Sequence, residues 1–426
     1  MRAWGRCVIL LLPVVLLILP GCTVVDQYSS HAVVFNLEAE QATQQALLLN
    51  IVRASQRRAM QFTGLQSITG QTTANLSGGL TTIPLGPHSG KDPKIGTLTG
   101  SISGGPTFIV PVLDTQEFYQ GVLNPIPGQI LDLYLNSNYS RELILDLFIE
   151  KIVMRRTDAN CPATDHSYSC EFVILNFVSS GPSYDIFQSF VEYMLNFGLS
   201  TQAIKPAASK KEDAQLGIYA MCFSPRLARH HAYIPLSARC GTPKTHSKDA
   251  SPRAPSYSTS LRMPDFVISG MQRAADRTPV IRAPSALEEP SPRTVLEGFK
   301  NQPISLTFYT RHTERIFYYL GEIVARARDP QRPRTIMSRS AQGGLFKELL
   351  PCSHDQTGCQ AIMVLEEGPG PAALSVSYNG ATYYIPDGER AGRSLFVLDI
   401  LKQVLALNTS AKSLPASNLI SVSSPQ

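Results

Sequence analysis

The spacing of apolar residues along the chain predicts a protein built from both helices and strands. From Asn36 to Met60 the apolar positions recur at helical spacing, with acidic residues near the start and arginines near the end, so we expect one long helix. A second helical pattern runs from Ser140 to Val153. His312 to Arg328 is amphipathic in the same way, and Ser394 precedes a further apolar-periodic run from Leu395 to Leu407.

Strand signals are strongest near the end of the chain. Leu374 to Tyr378 and Ala381 to Ile385 alternate in polarity, and Asn379-Gly380 between them is the preferred pair for a type I′ hairpin turn. Ile304 to Tyr309 alternates in the same way. The order of these elements predicts an α+β fold with a mixed sheet and flanking helices, to which the long N-terminal helix and a Gly/Thr-rich β-hairpin arm are added.

The arm is the segment from Phe62 to Val112, which is rich in Gly, Thr and Ser and nearly free of charge. Two stretches, Gly64 to Leu80 and Ile95 to Pro111, have strand character, and turn residues such as Ser89-Gly90 separate them. One interpretation is a surface hairpin packed on its own domain. The other is a hairpin that each copy donates to a multimeric ring, with lipid on one face and water on the other.

Composition narrows the class of protein. The 426 residues are 43% hydrophobic and 17% charged, with a formal net charge of +5. These values exclude collagen, a coiled coil, a multi-span membrane protein and a wholly disordered chain. A nucleic-acid-binding protein would carry a dense basic stripe, so the weak excess of Lys and Arg predicts no nucleic-acid partner.

A change of composition marks a Pro/Ser-rich stretch from residue 242 to residue 293, which has few apolar residues to offset the entropy of ordering it. We expect most of it to be a mobile insertion, with a short helix at Met263 to Arg273. The predicted organisation is a lipoprotein signal peptide (1–21), a lipidated cysteine with tether and long helix (22–60), the hairpin region (61–113), an α/β portion of the core (114–241), the insertion (242–293) and an α+β C-terminal portion (294–426).

The first residues have the order of a bacterial export signal. Arg2 and Arg6 give a positively charged start, and Val8 to Leu19 is an apolar run too short to span a bilayer. Such a run is typical of the apolar region of a signal peptide rather than of a transmembrane helix.

The motif Leu19-Pro20-Gly21-Cys22 follows at once. It resembles the lipobox of bacterial lipoproteins, although Pro20 stands where Ala or Ser is commoner. The resemblance implies cleavage before Cys22 and acylation of its thiol, which would anchor the chain in a membrane. Because Thr23 rather than Asp comes next, similarity to Gram-negative lipoprotein sorting favours the outer membrane, on its periplasmic face.

The cysteine content also favours export. Of eight cysteines, Cys7 lies in the signal and Cys22 is the lipidation site, which leaves an even number in the body. In an oxidising compartment such a set predicts disulfides. The remaining six form couples that are close in sequence, and we predict the pairs Cys161–Cys170, Cys222–Cys240 and Cys352–Cys359. The alternative is zinc bound by Cys352, His354 and Cys359, but the chain has no CxxC pair and we predict no metal site.

No catalytic motif indicates a chemistry. The chain lacks the nucleophile elbow GxSxG, the zinc motif HExxH, the P-loop and a GxGxxG that opens a helix. Arg311, Glu314, Arg315 and Glu322 belong to one predicted helical segment, and ordinary spaced pairs of opposite charge explain them. The alternative is that these four residues take part in a pocket. We therefore predict no catalytic residue and no cofactor.

The functional expectation combines the export signal with this lack of a motif. We expect a non-enzymatic, lipid-anchored envelope protein that faces the periplasm and is structural or accessory to an envelope assembly, secretion or transport complex. Its expected partners are the membrane and envelope proteins, and a homo-oligomer is compatible with the sequence. Two alternatives are a ring-forming export component that contributes its hairpin to a multimeric pore, and a periplasmic hydrolase with an unrecognised site. Leu47–Ala54 and Tyr318–Val324 are similar to segments of uncharacterised proteobacterial lipoproteins, which implies no activity.

Substitution of the lipidation site tests the anchor. We expect Cys22→Ser to release the protein from the membrane fraction or to leave an unprocessed precursor, because the thiol that carries lipid is gone. Cell fractionation with mass measurement of the N-terminus checks this outcome. Cys7→Ser, in the removed signal, is the matched control and should stay mature and membrane-bound. Mature, membrane-bound Cys22→Ser protein would contradict the prediction.

Overall fold

The protein divides into two compact units in a computed structural model. The first unit consists of Met1–Thr43, Phe62–Leu113 and Leu414–Gln426, and the second of Gln44–Gln61 and Asp114–Ser413. The residues that the structure describes are 33–34, 36–63, 67–77, 99–109, 112–162, 164–204, 218–229, 234, 238–240, 256–276, 290–329, 335–339, 359–408 and 421–422.

The first unit is built on a long antiparallel hairpin. Strand β1 (Ser67–Ser77) pairs with β2 (Thr99–Ile109) along its whole length, from Ser67 opposite Ile109 to Ser77 opposite Thr99. A short strand, β14 (Ser421–Val422), pairs with the last residues of β2. The predicted hairpin is therefore present, and both strands lie inside the predicted limits.

The second unit contains helices and small sheets. Residues 36–55 form helix α1, which enters this unit at Gln44. The other helices are α2 (Gln116–Leu123), α3 (Gly128–Leu135), α4 (Arg141–Phe148), α5 (Pro182–Asn196), α6 (Asp265–Ala275), α7 (Pro292–Glu297), α8 (Thr313–Ala327) and α9 (Ser394–Asn408). The strands are β3 (Ile149–Arg156), β4 (Glu171–Leu175), β5 (Leu199–Ile204), β6 (Ile218–Phe223), β7 (Ser256–Arg262), β8 (Pro303–Thr310), β9 (Met337–Arg339), β10 (Cys359–Ala361), β11 (Glu366–Glu367), β12 (Ala372–Tyr378) and β13 (Ala381–Pro386). Among the described residues, no helix combines the length and apolar character needed to cross a bilayer.

A four-stranded sheet in the order β4-β3-β8-β7 supports the core of this unit. Buried residues alternate along β8, where Leu306 and Phe308 are buried. Ile152 and Met154 of β3 lie opposite Phe308 and Leu306 and are fully buried as well. The period-two pattern predicted from Ile304 to Tyr309 is thus the pattern of burial, and it fixes which face of the sheet meets the helices.

The α+β prediction is confirmed by these helices and sheets. The sequence predicts a mixed sheet, whereas the strand pairs of the described residues are antiparallel. A parallel contact occurs at the isolated bridge between Phe223 and Arg239. In the β12–β13 hairpin the antiparallel pairing follows from the two-residue connection, because parallel neighbours need a longer crossover.

Turn and helix signals locate several elements correctly. Asn379 and Gly380 have φ angles of 52° and 80°, the positive values that a type I′ turn requires at both central residues. Helices α8 and α9 occupy their predicted segments. Helix α1 ends before Met60, because Arg57 takes a left-handed φ of 55°.

The helix predicted from Ser140 to Val153 ends earlier than the pattern indicates. Helix α4 ends at Phe148, and Ile149 begins β3. Residues Lys151 to Arg155 pair with β4 on one side and with β8 on the other. Tertiary pairing therefore decides the conformation of a segment whose apolar spacing alone favours a helix.

The structure corrects part of the mobile insertion predicted for 242–293. Strand β7 lies inside this stretch and pairs with β8 along its whole length. Helix α6 fits the short helix predicted there, and it packs on α5 with Val267 and Met271 fully buried. A prediction from composition does not find β7, because β7 is held by backbone hydrogen bonds to β8. Such bonds do not depend on the type of side chain. Residues 242–255 and 277–289 lie outside the described residues.

Candidate functional site

Helix α8 borders an open groove in the second unit. The groove has a volume of about 790 Å³, which is within the range of small-molecule sites. Its walls are α8 with the residue before it, the turn at residues 177–181, and the C-terminal end of α1. The arginines and carboxylates that line it are Arg57, Glu314, Arg315, Glu322, Arg326 and Asp329.

One wall forms where two helices meet at a glycine. Gly321 of α8 lies so close to α1 that an added Cβ would be 2.7 Å from the carbonyl carbon of Ala54. Glycine therefore allows the two helix backbones to touch, which any larger residue would prevent. This contact brings Ser55 and Arg57, at the end of α1, to the groove.

Arg57 stands in a backbone conformation that favours glycine. The turn after α1 has the Schellman pattern, since Arg58 N–H donates to the carbonyl of Arg53 at 2.8 Å and Arg57 N–H donates to the carbonyl of Ala54 at 3.0 Å. A non-glycine residue at this position costs on the order of 1 kcal/mol. The chain therefore places an exposed arginine on the groove at a small conformational cost.

The charges of the groove are balanced and mostly paired. Arg315 Nη1 lies 3.0 Å from Glu150 Oε1, and Arg326 Nη1 lies 3.0 Å from Asp329 Oδ2. The hydroxyl of Ser179 donates to Glu322 Oε1 at 3.2 Å. Since both signs are present and pair locally, the groove does not concentrate the field of one sign.

Two tyrosines fix the floor of the groove. Tyr319 of α8 lines the groove and is fully buried. Its hydroxyl lies 3.0 Å from the hydroxyl of Tyr184 in α5, so a hydrogen bond joins the two helices. Burial is the largest of the effects that raise the pKa of Tyr319 far above its ordinary value, so the phenol stays neutral.

A fully buried arginine lies directly beneath Tyr319. The Cζ atom of Arg311 is 3.9 Å from the centroid of the Tyr319 ring, a cation–π contact. Its Nη1 donates to the carbonyls of Asp146 at 2.5 Å and Leu147 at 3.1 Å, and its Nη2 donates to the carbonyl of Asn176. Asp146 and Leu147 are in the last turn of α4, where a cation also suits the helix dipole. Burial lowers the pKa of Arg311, with nearby tyrosines and carboxylates opposing the shift.

The carboxylate of Asp146 is buried and forms no salt bridge with another described residue. Its Oδ1 accepts a hydrogen bond from Gln188 at 2.8 Å, while Oδ2 is buried and has no hydrogen-bond partner among the described residues. Burial raises the pKa of Asp146 to about 7, although the Gln188 hydrogen bond and the charges of Arg311 and Arg393 act in the opposite direction. Asp146 therefore titrates near neutral pH inside the core.

The described residues of the groove, which include His312, do not form a nucleophilic triad. Within the described ranges, Ser179 meets a carboxylate rather than an imidazole, and no base with an orienting partner completes a nucleophilic triad. The part of the chain that the structure describes contains no group of three or more His, Cys, Asp or Glu residues placed to hold a metal ion. What the groove offers is an aromatic floor, hydroxyl groups and paired charges.

Two of the three predicted cysteine pairs are disulfides in the structure. The S–S distance is 2.05 Å for Cys161–Cys170, in the loop between β3 and β4, and 2.07 Å for Cys222–Cys240, at the end of β6. The side chains of Cys352 and Cys359 lie outside the described residues, and so does Cys22. The third pair and the lipidation site therefore stay predictions.

The sequence interpretation of Arg311 is wrong. It explains Arg311 by pairs of opposite charge spaced along one helix, but Arg311 precedes α8, is fully buried and donates to backbone carbonyls. Arg315 likewise pairs with Glu150 of β3 instead of a neighbour on α8. The available signal is weak: a single arginine directly follows the alternating apolar positions of β8, and its partners lie far away in sequence.

Comparison of the chain with protein-family models, with curated proteins and with solved structures gives no match.

Asp146→Asn tests the buried carboxyl through the pH dependence of stability. The folded pKa of about 7 is above the ordinary value of 3.8, so between these values the folded state keeps a proton that the unfolded chain has released. The free energy of unfolding should therefore fall as pH rises from 4 to 7, by up to roughly 1.4 kcal/mol per pH unit from this group. Urea unfolding at several pH values measures the slope.

The asparagine variant should lose this contribution to the slope. Asp276→Asn, on the surface beside Arg293, is the matched control and should keep the wild-type slope. An unchanged slope in Asp146→Asn would show that the buried carboxyl does not titrate in this window.

Proposed function

We propose that the protein is a non-enzymatic lipoprotein, anchored through Cys22 in the outer membrane with its body in the periplasm. There it serves as a structural or accessory part of an envelope assembly, secretion or transport complex. The lipobox-like motif supports the anchor, and Thr23 after it supports the outer membrane.

The observation that carries the proposal is the pair of disulfides in the second unit. Cys161–Cys170 and Cys222–Cys240 each close a short loop, and such bonds persist in oxidising compartments but are rare in a reducing cytosol. They support export of the body of the chain, independently of the signal-like N-terminus. A body held by disulfides, with an open groove among its described residues, suits a role in binding.

The groove along α8 supports an accessory role. Its volume of about 790 Å³ and its aromatic, hydroxyl and paired charged groups suit a short segment of a partner protein or a small polar ligand. Arg57, which stands exposed on the groove, has no hydrogen-bond or ion-pair partner for its side chain among the described residues and is available to such a ligand.

A ring-forming export component is the second candidate, and the hairpin favours it. The described residues leave the outer edge of β1 unpaired, and the strands contain no Asp, Glu, Lys, Arg or His. Natural proteins protect exposed strand edges with charges, so a long uncharged edge suits pairing with a strand of another copy.

Extraction in mild detergent with a C-terminal tag tests both candidates. If the protein is accessory to a complex, it should co-purify with other envelope proteins in stoichiometric amounts. If it forms a ring, light scattering should give a homo-oligomer. The control is an unrelated outer-membrane lipoprotein with the same tag.

A variant in which a Gly/Ser linker replaces residues 64–111 separates the two routes. It should keep its partners if the second unit binds them, and it should become monomeric if the hairpin forms the ring. A wild-type monomer that brings down nothing beyond the control would contradict the proposed function.

A further inference from the structure

The register of the β1–β2 hairpin sorts its positions into two chemically different faces. Residues directly opposite each other in an antiparallel pair share a face, and faces alternate along each strand. One face takes the positions of Ile68, Gly70, Thr72, Ala74, Leu76, Gly100, Ile102, Gly104, Pro106 and Phe108. The other takes those of Ser67, Thr69, Gln71, Thr73, Asn75, Ser77, Thr99, Ser101, Ser103, Gly105, Thr107 and Ile109.

The first set, which we name the apolar face, contains Thr72 as its single hydroxyl residue, and the second contains Ile109 as its single aliphatic one. An ordinary edge hairpin places charged residues on its solvent face, whereas here the polar face carries only uncharged groups.

The length of the strands matches a bilayer. Each strand has 11 residues, which at about 3.4 Å per residue gives roughly 37 Å. At a tilt of about 40° the strands span roughly 28 Å, close to the hydrocarbon thickness, and strands of about 9–11 residues are the length that crosses membranes.

The strand edges determine what else insertion requires. Among the described residues β1 pairs with β2 alone, and β14 reaches only the positions of Phe108 and Ile109 on β2. In hydrocarbon each unpaired backbone N–H or C=O costs several kcal/mol, so an isolated hairpin cannot cross a bilayer. Hairpins of several copies must pair edge to edge if the strands enter lipid.

We infer that the apolar face of the β1–β2 hairpin lies against the hydrocarbon of a lipid bilayer, with the strand edges paired to hairpins of further copies of this chain. The inference rests on the proposed anchoring, which would hold the hairpin at a membrane, and on the ring-forming candidate, which supplies the further copies. In this arrangement the polar faces of the paired hairpins enclose water, and the bilayer interior is the partner of the apolar face.

A single tryptophan on each face tests the inference. The only tryptophan of the chain is Trp4, in the predicted signal, so the mature protein has no tryptophan background. Ala74→Trp places the probe on the apolar face, and Thr73→Trp places it one residue away on the polar face. The full mature lipoprotein is reconstituted in phosphatidylcholine vesicles, with or without lipids brominated in mid-chain, and acrylamide serves as the aqueous quencher.

The expected result is emission of Ala74→Trp that is shifted to the blue and quenched by brominated lipid roughly two-fold or more strongly than that of Thr73→Trp. Acrylamide should quench Thr73→Trp more strongly. Equal quenching of both probes by acrylamide, or no quenching of either by brominated lipid, would overturn the inference, because the hairpin would then lie in water or against protein.

A second pair of probes guards against a folding defect. Ala74 pairs with Ile102, and Thr73 pairs with Ser103. Ile102→Trp and Ser103→Trp on β2 should therefore repeat the contrast, with circular dichroism matching the wild type. Failure of the proposed anchor is detected separately, by fractionation of the Cys22→Ser variant. If the protein is anchored but brominated lipid quenches none of the tryptophan probes, the inference about the hairpin is wrong and the anchor is unaffected.

Discussion

The buried guanidinium of Arg311 is the interaction on which the second unit depends. It lies between β8 and α8, and it donates to carbonyl oxygens in the last turn of α4 and at Asn176, just after β4. Elements far apart in sequence therefore meet at one cation. Burial of a charge costs several kcal/mol unless other groups replace its hydration. The three carbonyls and the ring of Tyr319 replace the hydration of both Nη atoms, whereas Nε is buried with no hydrogen-bond partner among the described residues.

The burial of Arg311 also determines the position of the groove floor, whereas backbone pairing holds the β1–β2 hairpin together. Helix α8 begins two residues after Arg311, and Tyr319, which covers the guanidinium, also lines the groove. The floor of the groove is thus part of the core and is formed before any ligand arrives. The β1–β2 ladder relies on backbone pairing between uncharged strands. One chain therefore carries a groove with a preformed floor and a hairpin of uncharged strands, and the proposed envelope role uses both.

Local patterns predict the local elements, and long-range contacts decide the rest. The Asn379-Gly380 turn and the helix from His312 to Arg328 are predictable, because turn chemistry and apolar spacing act within a few residues. The change from α4 to β3 at Ile149 is not, since pairing with two other strands decides it. The disulfides Cys161–Cys170 and Cys222–Cys240 are predictable from the spacing of cysteines in a chain that carries an export signal. The sequence carries only a weak signal for the role of Arg311, because its acceptors are backbone carbonyls more than a hundred residues away.

The stability of Arg311→Lys tests the central claim that this guanidinium holds the second unit together. Lysine keeps the charge, but its ammonium cannot span three carbonyls and lie flat on Tyr319. Urea unfolding should show a loss of roughly 3 kcal/mol or more. The same substitution at Arg315, which is exposed and pairs with Glu150, should cost less than about 1 kcal/mol. Equal, small losses for the two variants would contradict the claim.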